Sequence, residues 1–280
     1  MNGNSRRKKI FQSDMASYAM ILAAYLAAEL FLRSGAAGSL FKGLLVPLCI
    51  YSIMALSLNL VVGISGELSL GHAGFMCIGA FSSASFSMLM KGQGLPNGLC
   101  LFLAIVIGAL SAAVFGFLIG IPVLRLKGDY LAIVTLAFGE IIKNLINALY
   151  FGVDERGAHF SLKDGAALKL AGGGRIIIKG AQGITGTPKL SNFTVGIILL
   201  LLSLFLVLRL MNSRTGRAIA AVRDNRIAAE SIGLDAARLK LLAFTISAAI
   251  AGAAGVLYAH NLSSLQALPK NFGYHQSIMI

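Results

Sequence analysis

Long apolar runs separated by short polar stretches constrain this chain more than any other feature. They lie near Met15 to Leu32, Leu44 to Val62, Leu68 to Met90, Leu99 to Leu124, Tyr130 to Tyr150, Phe193 to Leu210 and Leu241 to Tyr258. A helix needs about 20 residues to cross a hydrocarbon layer about 30 Å thick, and each run is near or above that length. Outer-membrane strands would instead be segments of about 10 alternating residues, and these runs are continuous. The expected fold class is an all-α polytopic integral membrane protein with about seven complete transmembrane helices. After Pro269 the stretch His275 to Ile280 turns apolar and reads as the start of an eighth helix.

Composition agrees. The 280 residues are 57% hydrophobic and 12% charged, with mean hydropathy +0.81. An ordinary soluble domain carries about 25% charged residues, so a water-soluble globule is excluded. The net charge of +13 would suggest nucleic acid in a soluble chain, but here the basic residues sit mostly between apolar runs and report membrane orientation. Cys49, Cys77 and Cys100 lie in or beside the runs, without CxxC spacing, and read as packed free thiols.

Arg6-Arg7-Lys8-Lys9 precede the first run, which exceeds the usual signal-peptide core and reads as a retained helix. The whole chain, 1–280, is one transmembrane domain with 1–14 as a basic cytoplasmic N-terminus. The loops around Arg125 and Lys127 and around Arg209 to Lys240 then fall inside, and the long loop 151–192 falls outside. The charge bias is weak, with thirteen Lys and Arg inside and ten outside, and the short loops carry the orientation. Small residues recur in the spans, as in Gly116-x-x-x-Gly120 and Ala248-x-x-x-Gly252, and signal closely packed helices.

Four segments could carry function. Residues 212–240 read as two short amphipathic helices, one over Arg217 to Val222 and one over Arg226 to Ile232. Asp224 or Asn225 would cap the second, Gly233 would stop it, and Asp235 would cap the next span. Ile219, Val222, Ile227 and Ile232 give an apolar face; Arg217, Arg223 and Arg226 give a basic one. Such a pair suits docking onto a protein or lying on anionic headgroups.

Residues 63–74 form a glycine-interrupted polar stretch between two runs and should break the helix. Broken helices at membrane depth leave N–H groups that can hold a carboxylate, so Ser69, Gly71, His72 and Gly74 are candidates for a substrate path. The alternative is an ordinary loop with a capping serine and a satisfied histidine. His72 has no second ligand nearby, which argues against zinc, and no metal site is expected.

Glu140 falls about 15 Å along its helix, near the middle of the layer. Lys143, three residues on, shares its face, so a neutralising pair is the expected remedy; a proton relay is the alternative. Loop 151–192, with Gly172-Gly173-Gly174 and Asp154, Glu155 and Asp164, reads as flexible and charged. It could meet an external protein or serve as a solvated connector. There is no Gly-x-x-x-x-Gly-Lys-Ser/Thr segment and no recognisable nucleophile setting.

Ala228-Ala229-Glu230 followed by Gly233, in a loop between late spans, resembles the coupling loop of ABC-transporter permeases. YSIMALSLNLVVGISGELSLGHAGFMCIGAF at Tyr51 to Phe81, GDYLAIVTLAFGEIIKN at Gly128 to Asn144 and GAQGITGTP at Gly180 to Pro188 extend the resemblance over nearly the whole chain, specifically to LivM-like permeases of branched-chain amino-acid ABC transporters. Such permeases usually continue through at least one more span.

The resemblance implies a permease subunit of an ATP-driven importer for branched-chain amino acids or related small polar solutes, in the inner membrane, with no bond chemistry of its own and no cofactor. It implies a second homologous permease, two cytoplasmic ATP-binding subunits and an external solute-binding protein as partners. Arg214, Gly216, Arg217, Val222, Asp224, Arg226, Ala229, Glu230 and Gly233 would then couple to the ATPase. The rival is a carrier driven by an ion gradient through Glu140 and His72.

Overall fold

The computed structural model describes residues 3–34, 38–91, 94–126, 128–154, 156–168 and 174–280. Among the described residues seven helices are long and apolar enough to cross a membrane. They are α1 (Gly3–Arg33), α2 (Ser39–Asn59), α3 (His72–Met90), α4 (Asn97–Val123), α5 (Asp129–Ala148), α6 (Phe193–Asn212) and α9 (Ala236–Asn261). Two short helices, α7 (Arg214–Asp224) and α8 (Arg226–Ser231), join α6 to α9. All seven expected spans are present. The first helix starts earlier than its apolar run, at Gly3, with Met15–Arg33 as its apolar part.

The centre of the bundle is α3, α4 and α9 in close contact. Lipid offers no hydrophobic drive between helices, so their attraction depends on backbones approaching closely. Here they do: a Cβ on Gly79 would sit 2.2 Å from the Gly252 carbonyl oxygen, and one on Gly255 would sit 2.1 Å from that of Met76. The two small-residue motifs meet at one point, where a Cβ on Gly116 would lie 2.5 Å from the Ala248 Cβ. α2 and α6 pack outside this trio, and α1 leans on α6 through Tyr25, whose ring lies 5.5 Å from Phe193.

α2 does not run straight into α3. It loosens into a π-helical turn, Leu60–Ile64, with the Ser65 amide donating to the Leu60 carbonyl and the Glu67 amide to that of Val61. Gly66 then takes φ +75°, a conformation that side chains disfavour, and the chain is irregular until His72. The expected break is therefore real.

Residues 151–192 correct the reading of a flexible loop. β1 (Tyr150–Asp154), β2 (Gly157–Ser161) and β3 (Arg175–Lys179) form an antiparallel sheet in the order β2-β1-β3, with Phe151 and Phe160 stacked at 4.7 Å. β4 (Ile184–Thr185) pairs with β5 (Ser264–Leu265), and the Thr187 hydroxyl donates to the Leu262 carbonyl at 2.6 Å. Aromatic and β-branched residues favour these strands, a signal that the glycines and charges obscured. Glu155, Gly172, Gly173 and Lys127 lie outside the described residues.

After β5 the chain forms α10 (Pro269–Phe272) and α11 (Tyr274–Met279), bent at Gly273. Phe272 packs edge-on to Tyr258 at 5.2 Å and to Phe81 at 6.3 Å. The Ser277 hydroxyl accepts the Ala73 amide at 2.9 Å. A helix thus begins at the expected place, folded back along α3.

Gly79→Leu should overpack the trio against backbone and destabilise the detergent-solubilised protein by about 3 kcal/mol. Gly98→Ala, where a Cβ meets nothing within 4 Å, should change it by less than about 0.5 kcal/mol. Denaturant unfolding followed by circular dichroism checks both.

Candidate functional site

The α7–α8 pair is held by hydrogen bonds at every helix start. Ser213 Oγ accepts the Gly216 amide at 3.0 Å, Asn225 Oδ1 accepts that of Ala228 at 3.0 Å, and Asp235 Oδ1 accepts that of Arg238 at 3.1 Å. Each cap satisfies a donor that the helix leaves open. Asn225, and not Asp224, caps α8; Asp224 ends α7 and pairs with the Arg223 guanidinium at 2.9 Å. Gly233, at φ +86°, ends the turn after α8 as expected. The Ser213 cap was missed, although a serine just ahead of Arg-Thr-Gly is a start signal.

The expected apolar face divides in two. Ile219 and Val222 are 1% and 2% exposed and pack into their own bundle, whereas Ile227 and Ile232 are 82% and 76% exposed. Gly216 is also buried, with no room for a Cβ against the Leu210 carbonyl at 2.1 Å, and Ala229 is buried beside Val222 and Ala236. Gly216, Val222 and Ala229 seat the pair on the bundle. Arg214, Arg217, Asp224, Arg226, Glu230 and Gly233 remain at the surface, with Arg226 Nε donating to Glu230 Oε1 at 2.7 Å across one turn.

Two contacts tie this region to the break. Arg223 Nη1 donates to the Gly63 carbonyl at 2.8 Å, and Lys240 forms an ion pair with Glu67. The break therefore lies at the α7–α8 end of the bundle, opposite the sheet.

Three amides at the α3 side of the break are engaged within the chain. Those of Leu70 and Gly74 donate to Thr135 Oγ1 at 3.1 Å and the Gly71 carbonyl at 3.0 Å, and Ala73 uses Ser277. Gly71 and Gly74 press on α5; a Cβ would meet the Thr135 carbonyl oxygen at 1.9 Å from Gly71, and Gly139 Cα at 3.0 Å from Gly74. Both glycines are close-packing positions, and the amides of Leu70, Ala73 and Gly74 are already taken within the chain.

His72 is fully buried, with Nε2 2.7 Å from Ser57 Oγ. Ser57 Oγ spends its one proton on the Ser247 carbonyl at 2.6 Å, so His72 Nε2 is the donor to Ser57. Ser247 Oγ returns a bond to the Ser57 carbonyl at 2.6 Å, so the node pins α2, α3 and α9 together. Ser57 and Ser247 were not singled out, because only the fold brings them to His72. Ser69 Oγ is buried without a partner among the described residues, and Ser69 lines a groove of about 430 Å³ with Asn59, Ser277 and apolar residues of α2 and α11.

Glu140 and Lys143 form the expected ion pair, with Lys143 buried. At the sheet end a cleft of about 740 Å³ is lined by Lys91, Arg175, Lys179 and Asp154, the last held 3.0 Å from His159 Nε2. Among the described residues no group of three His, Cys, Asp or Glu could hold a metal.

Seven apolar helices, three of them in a glycine-packed central trio, with a capped helix pair between the sixth and seventh, define a multi-pass membrane protein of the permease type. The chain belongs to the family described as branched-chain amino acid transport system permease component, which matches residues 40–279. It is 41% identical over 82% of its length to the high-affinity branched-chain amino acid transport system permease protein LivM of Salmonella typhimurium, and 40% identical over 82% to LivM of Escherichia coli. It spans 54% of the length of each. LivH of Escherichia coli is 25% identical over 74% of the chain and 65% of its own length. No solved structure matches the chain.

Lys143→Met should remove the buried ammonium that faces the Glu140 carboxylate and destabilise the protein by about 3 kcal/mol, while Lys143→Met with Glu140→Gln should recover most of the loss. A double-mutant cycle of unfolding in detergent reads both.

Proposed function

We propose that the chain is a permease subunit of an ATP-driven importer of branched-chain amino acids or related small polar solutes. Membership of the permease family supports the class, and the names of the relatives support the substrate. One geometric observation carries the coupling: a capped helix pair leaves Ile227 and Ile232 in the open while its Ile219, Val222 and Ala229 are sunk in the bundle. Isoleucines this exposed at the polar end of a bundle suit a hydrophobic groove on a partner, with Arg226 and Glu230 beside them at the rim.

On this reading the α7–α8 end faces the cytoplasm of the inner (plasma) membrane and docks on one of two separate ATP-binding subunits. A second homologous permease completes the channel. An external solute-binding protein delivers substrate at the sheet end, and the chain itself breaks no bond. The path passes Ser69, which lines the groove and whose hydroxyl has no partner among the described residues, and Glu140 and Lys143 act as a structural pair.

The rigid caps explain how the pair could transmit displacement: a handle that frays absorbs motion, whereas one with closed hydrogen bonds moves as a body. The gradient-driven carrier has less support, because His72 is committed to Ser57 and Glu140 to Lys143.

The test is uptake of radiolabelled leucine into proteoliposomes holding the full transporter, with and without ATP inside. Uptake should require ATP and survive collapse of proton and sodium gradients; uptake driven by a gradient alone contradicts the reading. Glu230→Lys, Gly233→Trp and the double variant Ile227→Asp/Ile232→Asp should each lower uptake at least tenfold while the protein still inserts. Normal ATP-driven uptake by all three counts against the handle.

A further inference from the structure

The contacts between the α7–α8 pair and the break are more than packing. Arg223 is the last arginine of α7, and its Nη1 reaches the carbonyl of Gly63, inside the π-helical turn. The wider π spacing loosens the regular ladder of α2 at this point. Gly66, at φ +75°, brings the backbone so near that a Cβ there would lie 2.6 Å from Arg223 Cγ. One turn into α9, Lys240 pairs with Glu67, and both side chains are largely buried. α8 thus sits between two polar anchors that close on the same five residues, Gly63 to Glu67.

The far side of the break is fixed to different elements. Leu70 donates to Thr135 on α5, Gly71 and Gly74 press on α5, and Ala73 is held by α11. A displacement of α7–α8 therefore pulls on one end of an unwound segment whose other end is anchored on α5. The segment has no helical ladder of its own between Ser65 and Gly71, so it is the compliant element of the α2–α3 connection.

We propose that Arg223 and the Lys240–Glu67 pair are positioning residues that carry movement of the coupling helices into the unwound end of α2, and so open or close the path beside Ser69. This rests on the reading of α7–α8 as the ATPase-coupling pair and assigns the route by which coupling enters the membrane. The guanidinium acts on a backbone carbonyl, so its shape as well as its charge is required.

Two measurements test it. In the isolated chain in detergent, Arg223→Ala should speed amide exchange of residues 63–67 at least tenfold and leave α3 beyond Phe75 unchanged. Unchanged exchange at 63–67 overturns the linkage without reference to any ATPase.

In the reconstituted transporter, Arg223→Ala, Arg223→Lys and Glu67→Cys/Lys240→Cys should each keep ATP hydrolysis within about twofold of the parent while leucine moved per ATP falls at least tenfold. Joining the two introduced cysteines with a short bis-maleimide should restore at least half of the lost transport, a rescue that a merely structural contact would not give. Parallel loss of hydrolysis and transport, unchanged transport, or a cross-link that restores nothing overturns the proposal. A parent complex that fails to couple ATP to uptake removes the functional reading instead, and amide exchange then decides the linkage alone.

Discussion

Everything in this bundle depends on the backbone contact of α3, α4 and α9. Their interface has no side chain at Gly79, Gly252 and Gly255, which lets carbonyls of one helix touch the Cα of another. Dispersion summed over such contacts replaces the hydrophobic drive that lipid does not supply. The trio is a rigid frame. The His72 node adds hydrogen bonds among buried groups that could find no water, and so fixes α2 against the same frame.

Against this frame the rest divides by how its polar groups are satisfied. The sheet end closes its strands on one another and on α9 through β5. The α7–α8 end closes its helices with side-chain caps and leaves two large isoleucines outside. The break between α2 and α3 borrows partners from α5, α7, α9 and α11. An element with borrowed bonds is the one that a shift of its lenders would move, and on the proposed function the outward isoleucines are where such a shift would originate.

Much of this was legible in the sequence. Every crossing was marked by an apolar run, Gly233 and Asp235 marked the ends of elements, and the three-residue spacing gave the Glu140–Lys143 pair. What escaped needed three dimensions. Ile219 and Ile227 look equivalent on a helical wheel until Asn225 turns the chain between them. Gly71 and Gly74 read as open backbone until Thr135 and Gly139 arrive from α5. The sheet hid because its strands are only two to five residues long, interleaved with glycines and charges that resemble a linker.

The most direct test of the coupling account is maleimide labelling of Ile232→Cys in oriented membrane vesicles, where the native Cys49, Cys77 and Cys100 are buried and should react slowly. The account requires rapid labelling from the cytoplasmic face and strong protection once the ATP-binding subunits are bound. Labelling only from the external face, or at the same rate with and without those subunits, would contradict it.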